Sequence, residues 1–217
     1  MDQDKAASHY FVNPADLKPA AILPAPPADG SVAALADLET VLRVQESRTP
    51  AEAALAKRLE TDDAFDYAES LGSWFTRENL PFTAIVLKHV SSDAAAVSSL
   101  TKTLFSRRRP PQVEPTVHPC VEIPKSFSYP SGHSMRAFVW AAVLSDIFPD
   151  HKEALFAQAH RAAWARIVGG VHFPSDDVGG RLLAAAIVAQ LEKNPEYRKA
   201  IEQARAEAAP FLEKKAA

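Results

Sequence analysis

Three short stretches of this chain gather side chains that do chemistry on anions. The first is Lys102-Thr-Leu-Phe-Ser-Arg-Arg-Arg109-Pro110. Lys102 falls near a helix end and Arg109, seven residues on, opens a loop, so two cations can aim at one anion. Alone, this cluster also reads as a solvated basic helix end that the helix dipole favours. Arg107 and Arg108 are expected to be that surface. The second stretch is Tyr129-Pro130-Ser131-Gly132-His133-Ser134. Ser131 is placed to cap the next helix, and the amides of Gly132, His133 and Ser134 then sit at its positive end, a ready anion site. Gly132 lets backbone come close to an oxygen, and His133 can reach the same anion. The third is Arg166-Ile-Val-Gly169-Gly170-Val-His172-Phe-Pro-Ser-Asp176. Arg166 ends a helix that stops at the glycine pair. Asp176 can accept from His172 Nδ1–H, fixing the tautomer and leaving Nε2 as nucleophile. Asp177 is the rival carboxylate, and spacing leaves both open. Together, two histidines, three cations (Lys102, Arg109 and Arg166) and a helix N-terminus suit a phosphate ester. The cations balance charge on the equatorial oxygens, His172 attacks from one face, and His133 protonates the leaving oxygen on the other.

Helices must carry these stretches. Residues 1–30 read as an irregular proline-rich arm, because Pro14, Pro19, Pro24, Pro26 and Pro27 disfavour helix. Residues 31–217 read as one helical domain. Ser31 caps a helix with Val32, Leu35, Leu38 and Leu42 at helical spacing. Thr49-Pro50-Ala51-Glu52 is a capping box with proline at the first helical position. Further helices are expected at 62–75, from Pro81, at about 93–105 with Val97, Leu100 and Leu104, and at about 131–148, 151–168, 176–193 and 195–214. The last is amphipathic through Tyr197, Ile201, Ala204, Ala208 and Leu212, and should pack on the rest. Between them, residues 107–130 hold six prolines and form a long loop of the kind that is often functional. Phe127, Tyr129 and Phe173 are expected to shape the mouth of the site. Five of the 7 glycines fall between residues 130 and 180, in the chemical region. No strand alternation and no repeat stand out, so the fold class is all-α, a single-domain helical bundle.

Composition removes other classes. Hydrophobic residues make up 47% of the 217 and charged residues 24%, ordinary for a globular protein and not for a disordered one. No apolar run reaches the roughly 18 residues that a membrane span needs. A net charge of -3 argues against a nucleic-acid partner. One cysteine, Cys120, excludes a disulfide scaffold and a four-cysteine zinc site. The acidic leader Met1-Asp-Gln-Asp-Lys has no apolar segment behind it. The protein is therefore expected to be cytosolic, or to have lost a signal peptide.

The combined pattern Lys-x6-Arg-Pro, Pro-Ser-Gly-His and Arg-x5-His-x3-Asp resembles the signature of the type 2 phosphatidic acid phosphatase superfamily. That superfamily includes bacterial class A non-specific acid phosphatases, lipid phosphatases and vanadium haloperoxidases. The chain looks most like the class A enzymes: size and the lack of membrane helices fit, and Ile22-Leu-Pro-Ala-Pro-Pro-Ala-Asp-Gly-Ser31 is similar to their proline-rich start. The resemblance implies an all-helical fold, hydrolysis of small phosphate monoesters through a phosphohistidine, no metal or other cofactor, a periplasmic home and at least a dimer. It implies His172 as nucleophile, His133 as general acid and Asp176 as the group orienting His172. Lys102, Arg109, Ser131, Gly132 and Arg166 would hold the phosphate. An acceptor alcohol in place of water would give phosphotransfer. One departure is Ala165, where the family usually has serine, which puts a hydrogen bond near Arg166 in doubt. Many class A enzymes also carry a second cysteine near the nucleophile loop; here that stretch is Val168-Gly169-Gly170, leaving Cys120 an unpaired thiol. Competing readings are a vanadium-dependent haloperoxidase, with vanadate ligated by His172 on the same residues, and a non-catalytic phosphate-binding helical module. A metallohydrolase using His133, His172, Asp176 and Asp177 lacks a metal-helix motif.

Overall fold

The computed structural model describes residues 9–216. The acidic leader and the start of the proline-rich arm lie outside the described residues. The longer helices are α1 (Val32–Ser47), α2 (Pro50–Arg58), α3 (Pro81–Phe105), α4 (Gly132–Ile147), α5 (Lys152–Val168), α6 (Pro174–Leu191) and α7 (Pro195–Ala216). Among the described residues there is no strand.

Helix α4 is apolar on all sides, with Ala137, Phe138, Val139, Trp140, Ala141, Val143 and Leu144 all buried. A helix of that pattern has to be central, and α4 packs against α3, α5, α6 and α7. The core is continuous from Val12 and Leu17 in the arm to Ile201 and Ala208 in α7.

The arm is tied to its own chain. The amides of Tyr10, Phe11 and Val12 donate to the buried carboxylate of Asp93, at 2.7–2.9 Å. Its prolines do not abolish helix as expected. Pro14 and Pro19 each open a single short turn, Pro14–Asp16 and Pro19–Ile22, since a first-turn position needs no N–H.

Residues 81–105 are one helix of 25 residues, not two. Asp93, about where the second helix was expected to start, lies inside this one, and its carboxylate serves the arm. The inward face is also turned from the expected one: Leu100 and Leu104 are exposed, whereas Val97, Ser98, Thr101 and Lys102 are buried. The same rotation occurs in α1, where Val32 and Leu35 are exposed and Asp37 and Val41 are buried. In both helices the buried stripe carries polar residues that serve the site. The expected helix at 62–75 is instead two short turns, Ala64–Tyr67 and Ala68–Leu71, stopped by Gly72 at φ +117°. Helix α7 does pack as expected and also caps α3. The Glu207 carboxylate accepts from the Phe82 and Thr83 amides at 2.7 and 2.8 Å, and so satisfies donors that Leu80 leaves open.

Two glycines let α6 meet the start of α4. A Cβ on Gly179 would lie 2.5 Å from the Tyr129 ring, and one on Gly180 would lie 2.6 Å from the Ser131 carbonyl oxygen. That approach lets the Ser131 amide donate to the Asp176 carbonyl at 2.9 Å, linking two of the three sequence clusters. Gly180→Ala is expected to cost about 1–3 kcal/mol through overpacking, read by urea unfolding. Activity should fall with it, because the helix start carrying His133 would be pushed from Asp176.

Candidate active site

Lys102 reaches the site because it ends the buried stripe of α3. Its Nζ donates to the carbonyls of Phe127 and Ser128 at 2.5 and 3.1 Å. Burial, helped by the nearby Arg109 charge, pushes its pKa down to about 7.

Arg109 is buried where the loop leaves α3. Its guanidinium is held by the carbonyls of Ser126, Val171 and Phe127 at 2.8, 2.8 and 3.2 Å, and its Nη1 lies 3.1 Å from His172 Nε2. Burial lowers its pKa to about 10, so it stays a cation at neutral pH.

His172 and Asp176 form the expected dyad. Nδ1 lies 3.1 Å from Asp176 Oδ2. Arg109 has only donors to offer, so Nε2 accepts and Nδ1 carries the proton. Both residues are fully buried. Burial pushes the His172 pKa down and outweighs the pull of Asp176, so the ring is neutral. Burial alone would raise Asp176. Its hydrogen bond from His172, with Arg107 and Ser128 behind it, holds it below the usual carboxylate range. The carboxylate also accepts from the Phe173 amide at 2.9 Å and Ser128 Oγ at 2.6 Å. The rival Asp177 turns to Ser134, whose hydroxyl donates to it at 2.5 Å.

The start of α4 completes one side. Ser131 Oγ accepts from the Ser134 amide at 3.3 Å, as a cap should. A Cβ on Gly132 would lie 3.3 Å from Ser98 Oγ and 3.7 Å from Lys102 Cε, so the glycine gives the cradle its room. His133 Nε2 lies 3.2 Å from the Glu60 carbonyl, which can only accept, so Nε2 carries a proton. Burial, then the charges of Arg166 and Arg136, push the His133 pKa well below 6.5.

Arg166 is buried, and its Nε and Nη1 have no hydrogen-bond partner. Orphan buried donors of this kind fit an anion. Ala165 beside it lies in an apolar cluster with Val121 and Val168. Lys102, Arg109, Gly132, His133 and His172 share a cavity of about 370 Å³, with Lys125 and Phe127 of the long loop on its wall. Ser131, Arg166 and Asp176 are buried and are not on its wall. Cys120 is a free thiol. Tyr129 and Phe173 do not shape the mouth: both are buried, Tyr129 against Phe105 and Phe173 under the Arg107 guanidinium. Among the described residues no three His, Cys, Asp or Glu side chains converge as metal ligands do, so the four-residue metal alternative has no geometry behind it.

Sequence reasoning missed two residues. Arg107 is not surface, although Arg108 is. Arg107 bridges Asp176 Oδ1 at 2.7 Å and Asp37 Oδ2 at 2.8 Å, and its guanidinium stacks 4.1 Å over Phe173. Asp37 in turn accepts from the Ser175 amide at 3.1 Å. A buried aspartate in an apolar helix stripe was the available signal. The other missed residue is Arg136, one turn after His133, on the cavity wall and paired with Asp62. Arg107→Ala would strand two buried carboxylates, and is expected to cost about 3–5 kcal/mol in urea unfolding.

The chain is 27% identical over 209 residues to a non-specific acid phosphatase of Providencia stuartii, covering 92% of this chain and 84% of that protein. It is 29% identical over 147 residues to an acid phosphatase of Zymomonas mobilis, covering 65% and 55%. Among solved structures, a bacterial vanadium-dependent iodoperoxidase superposes with TM-score 0.60 at 20% identity, over 79% of this chain and 53% of that one. A transmembrane PAP2 type phosphatidylglycerolphosphate phosphatase from Bacillus subtilis superposes with TM-score 0.50 at 22% identity, over 76% and 89%. Those two likenesses are of fold; no helix among the described residues here is long and apolar enough to cross a membrane. The PAP2 superfamily model matches residues 82–198, more than half of the chain and all of the expected catalytic and phosphate-holding residues, and the chain belongs to that superfamily.

Proposed function

We propose that this chain is an acid phosphatase that hydrolyses phosphate monoesters through a phosphohistidine on His172, without a metal. The observation that carries the reading is the neutral His172, its Nδ1–H held by Asp176 and its Nε2 beside Arg109 in a cationic cavity. The reaction runs in two displacements. The Nε2 lone pair of His172 attacks phosphorus while the ester P–O bond breaks, and His133, made a cation by the bound phosphate and keeping its Nε2–H on the Glu60 carbonyl, gives its Nδ1 proton to the departing oxygen. Lys102, Arg109, Arg166 and the Gly132 end of α4 neutralise the equatorial oxygens. Water then attacks phosphorus, gives its proton to His133, and the P–N bond breaks. An alcohol at that step would make a new ester. The relatives named acid phosphatase support the reaction class. The haloperoxidase reading shares the anion cradle but rests on fold likeness alone.

Two further parts of the proposal rest on other supports. A homo-oligomer would cover Leu35, Leu104 and Val113, which are exposed around one surface hollow. A periplasmic location rests on the resemblance to class A enzymes, and fractionation of the source cells tests it.

The test is turnover of p-nitrophenyl phosphate in excess EDTA. Chelator-resistant turnover that peaks below neutrality is expected. Loss of turnover in EDTA with recovery on added metal would overturn the reading. The cradle has its own pH signature. Lys102 is a cation below its pKa of about 7 and loses its charge above it. Sulfate does not titrate in this range, so it reports the protein alone. Its inhibition constant is expected to rise roughly tenfold per unit above about pH 7.

A further inference from the structure

A second hollow adjoins the catalytic cavity. It encloses about 860 Å³ and shares Ala95 and Arg136 with the first. One wall is the outer face of α3 from Ala84 to Ala95, about 16 Å at the ordinary helical rise. Residues 61–65, Arg77, Arg136 and Trp140 form the rest. Neither His172 nor His133 lines it. Arg136, one turn beyond His133 on α4, does, and so does Asp62 of the turn whose Glu60 carbonyl holds the His133 ring. The hollow therefore lies on the His133 side of the phosphate cradle, where an in-line displacement sends the leaving alcohol.

Most of its polar groups are satisfied by one another, while Lys88 and Ser92 of α3 and Thr61 are exposed on its wall. Arg136 pairs with Asp62, and Arg77 pairs with Asp63 at 2.7 Å. Trp140 Nε1 donates to Ser91 Oγ at 2.8 Å, and Ser91 Oγ donates to the Leu87 carbonyl. The apolar part of the wall is Phe65, Ala84 and Ile85, with Leu87 and Trp140 themselves buried. Ile85 is half exposed there.

We propose that this groove is the leaving-group subsite, and that it selects monoesters whose alcohol is bulky and mostly apolar. The inference rests on the phosphatase reading and adds its substrate preference. The experiment is kcat/KM for a series of monoalkyl phosphates from ethyl to octyl, in wild type and Ile85→Asp. The wild-type value is expected to climb about two- to fourfold per methylene, the scale of apolar transfer. In Ile85→Asp the climb should flatten, with ethyl phosphate turnover unchanged; Ile85 is exposed enough for the variant to fold. A flat wild-type series, or a climb that survives the charge, would overturn the subsite. So would an unchanged climb together with a smaller assembly by light scattering, which would assign the groove to a second copy of the chain. Failure on ethyl phosphate as well as octyl would sink the phosphatase reading instead.

Discussion

His172→Ala is expected to lower kcat by about 10⁴-fold or more on any phosphate monoester. The reason is local. Among the described residues, the imidazole whose free nitrogen faces the cationic cavity with a buried carboxylate behind it is His172. Lys102, Arg109 and Arg166 would still bind the anion, so sulfate or phosphate should inhibit any residual activity as before. A fall in kcat with retained anion binding separates a lost nucleophile from a collapsed site. His172→Asn gives a control of similar size, and it should be as inactive, because an amide nitrogen has no lone pair to use.

His133→Ala is expected to lower kcat by about 10²–10⁴-fold, and unevenly. The loss should be small for p-nitrophenyl phosphate, whose leaving group needs little help. For ethyl phosphate, whose leaving alkoxide must be protonated, it should be at least about tenfold larger. The ligand-free His133 has its pKa pushed well below 6.5 by burial and by Arg166 and Arg136. A bound phosphate brings negative charge to the same place and raises it again. Proton donation is thereby coupled to substrate binding. The alkaline limb of kcat should lie at higher pH than that of kcat/KM, and should be missing in His133→Ala. Equal losses on both substrates would mean that His133 only holds the cradle.

Much of this site was legible because its parts sit at fixed spacings on well-capped helices. Ser131 caps α4 and Gly169 ends α5 as their residue types imply. The histidine and aspartate of the dyad are four residues apart, so local geometry joins them. The glycines pointed to the right region because Gly179 and Gly180 stand where a side chain would collide, and Gly132 where one would crowd Ser98. What stayed hidden were contacts over long stretches of chain. Arg107 and Arg108 are alike in sequence, and only Asp37, on α1, tells them apart. Asp93 reads as a helix start until the amides of residues 10–12 are brought to it. Apolar spacing misled in α1 and α3 for one reason. Their inward faces carry Asp37 and Lys102, so the most apolar face is not the buried one.

The central claim is a covalent phosphohistidine, and trapping it is the most direct measurement. Labelled p-nitrophenyl phosphate is mixed with the protein at mildly acid pH and quenched in alkaline denaturant during turnover. A P–N bond survives alkali and breaks in acid, unlike a phosphate ester of serine. The account predicts label on the peptide that contains His172, stable in alkali, released by acid and absent from His172→Ala. Turnover with no protein-bound phosphate, or label on any other residue, would contradict it.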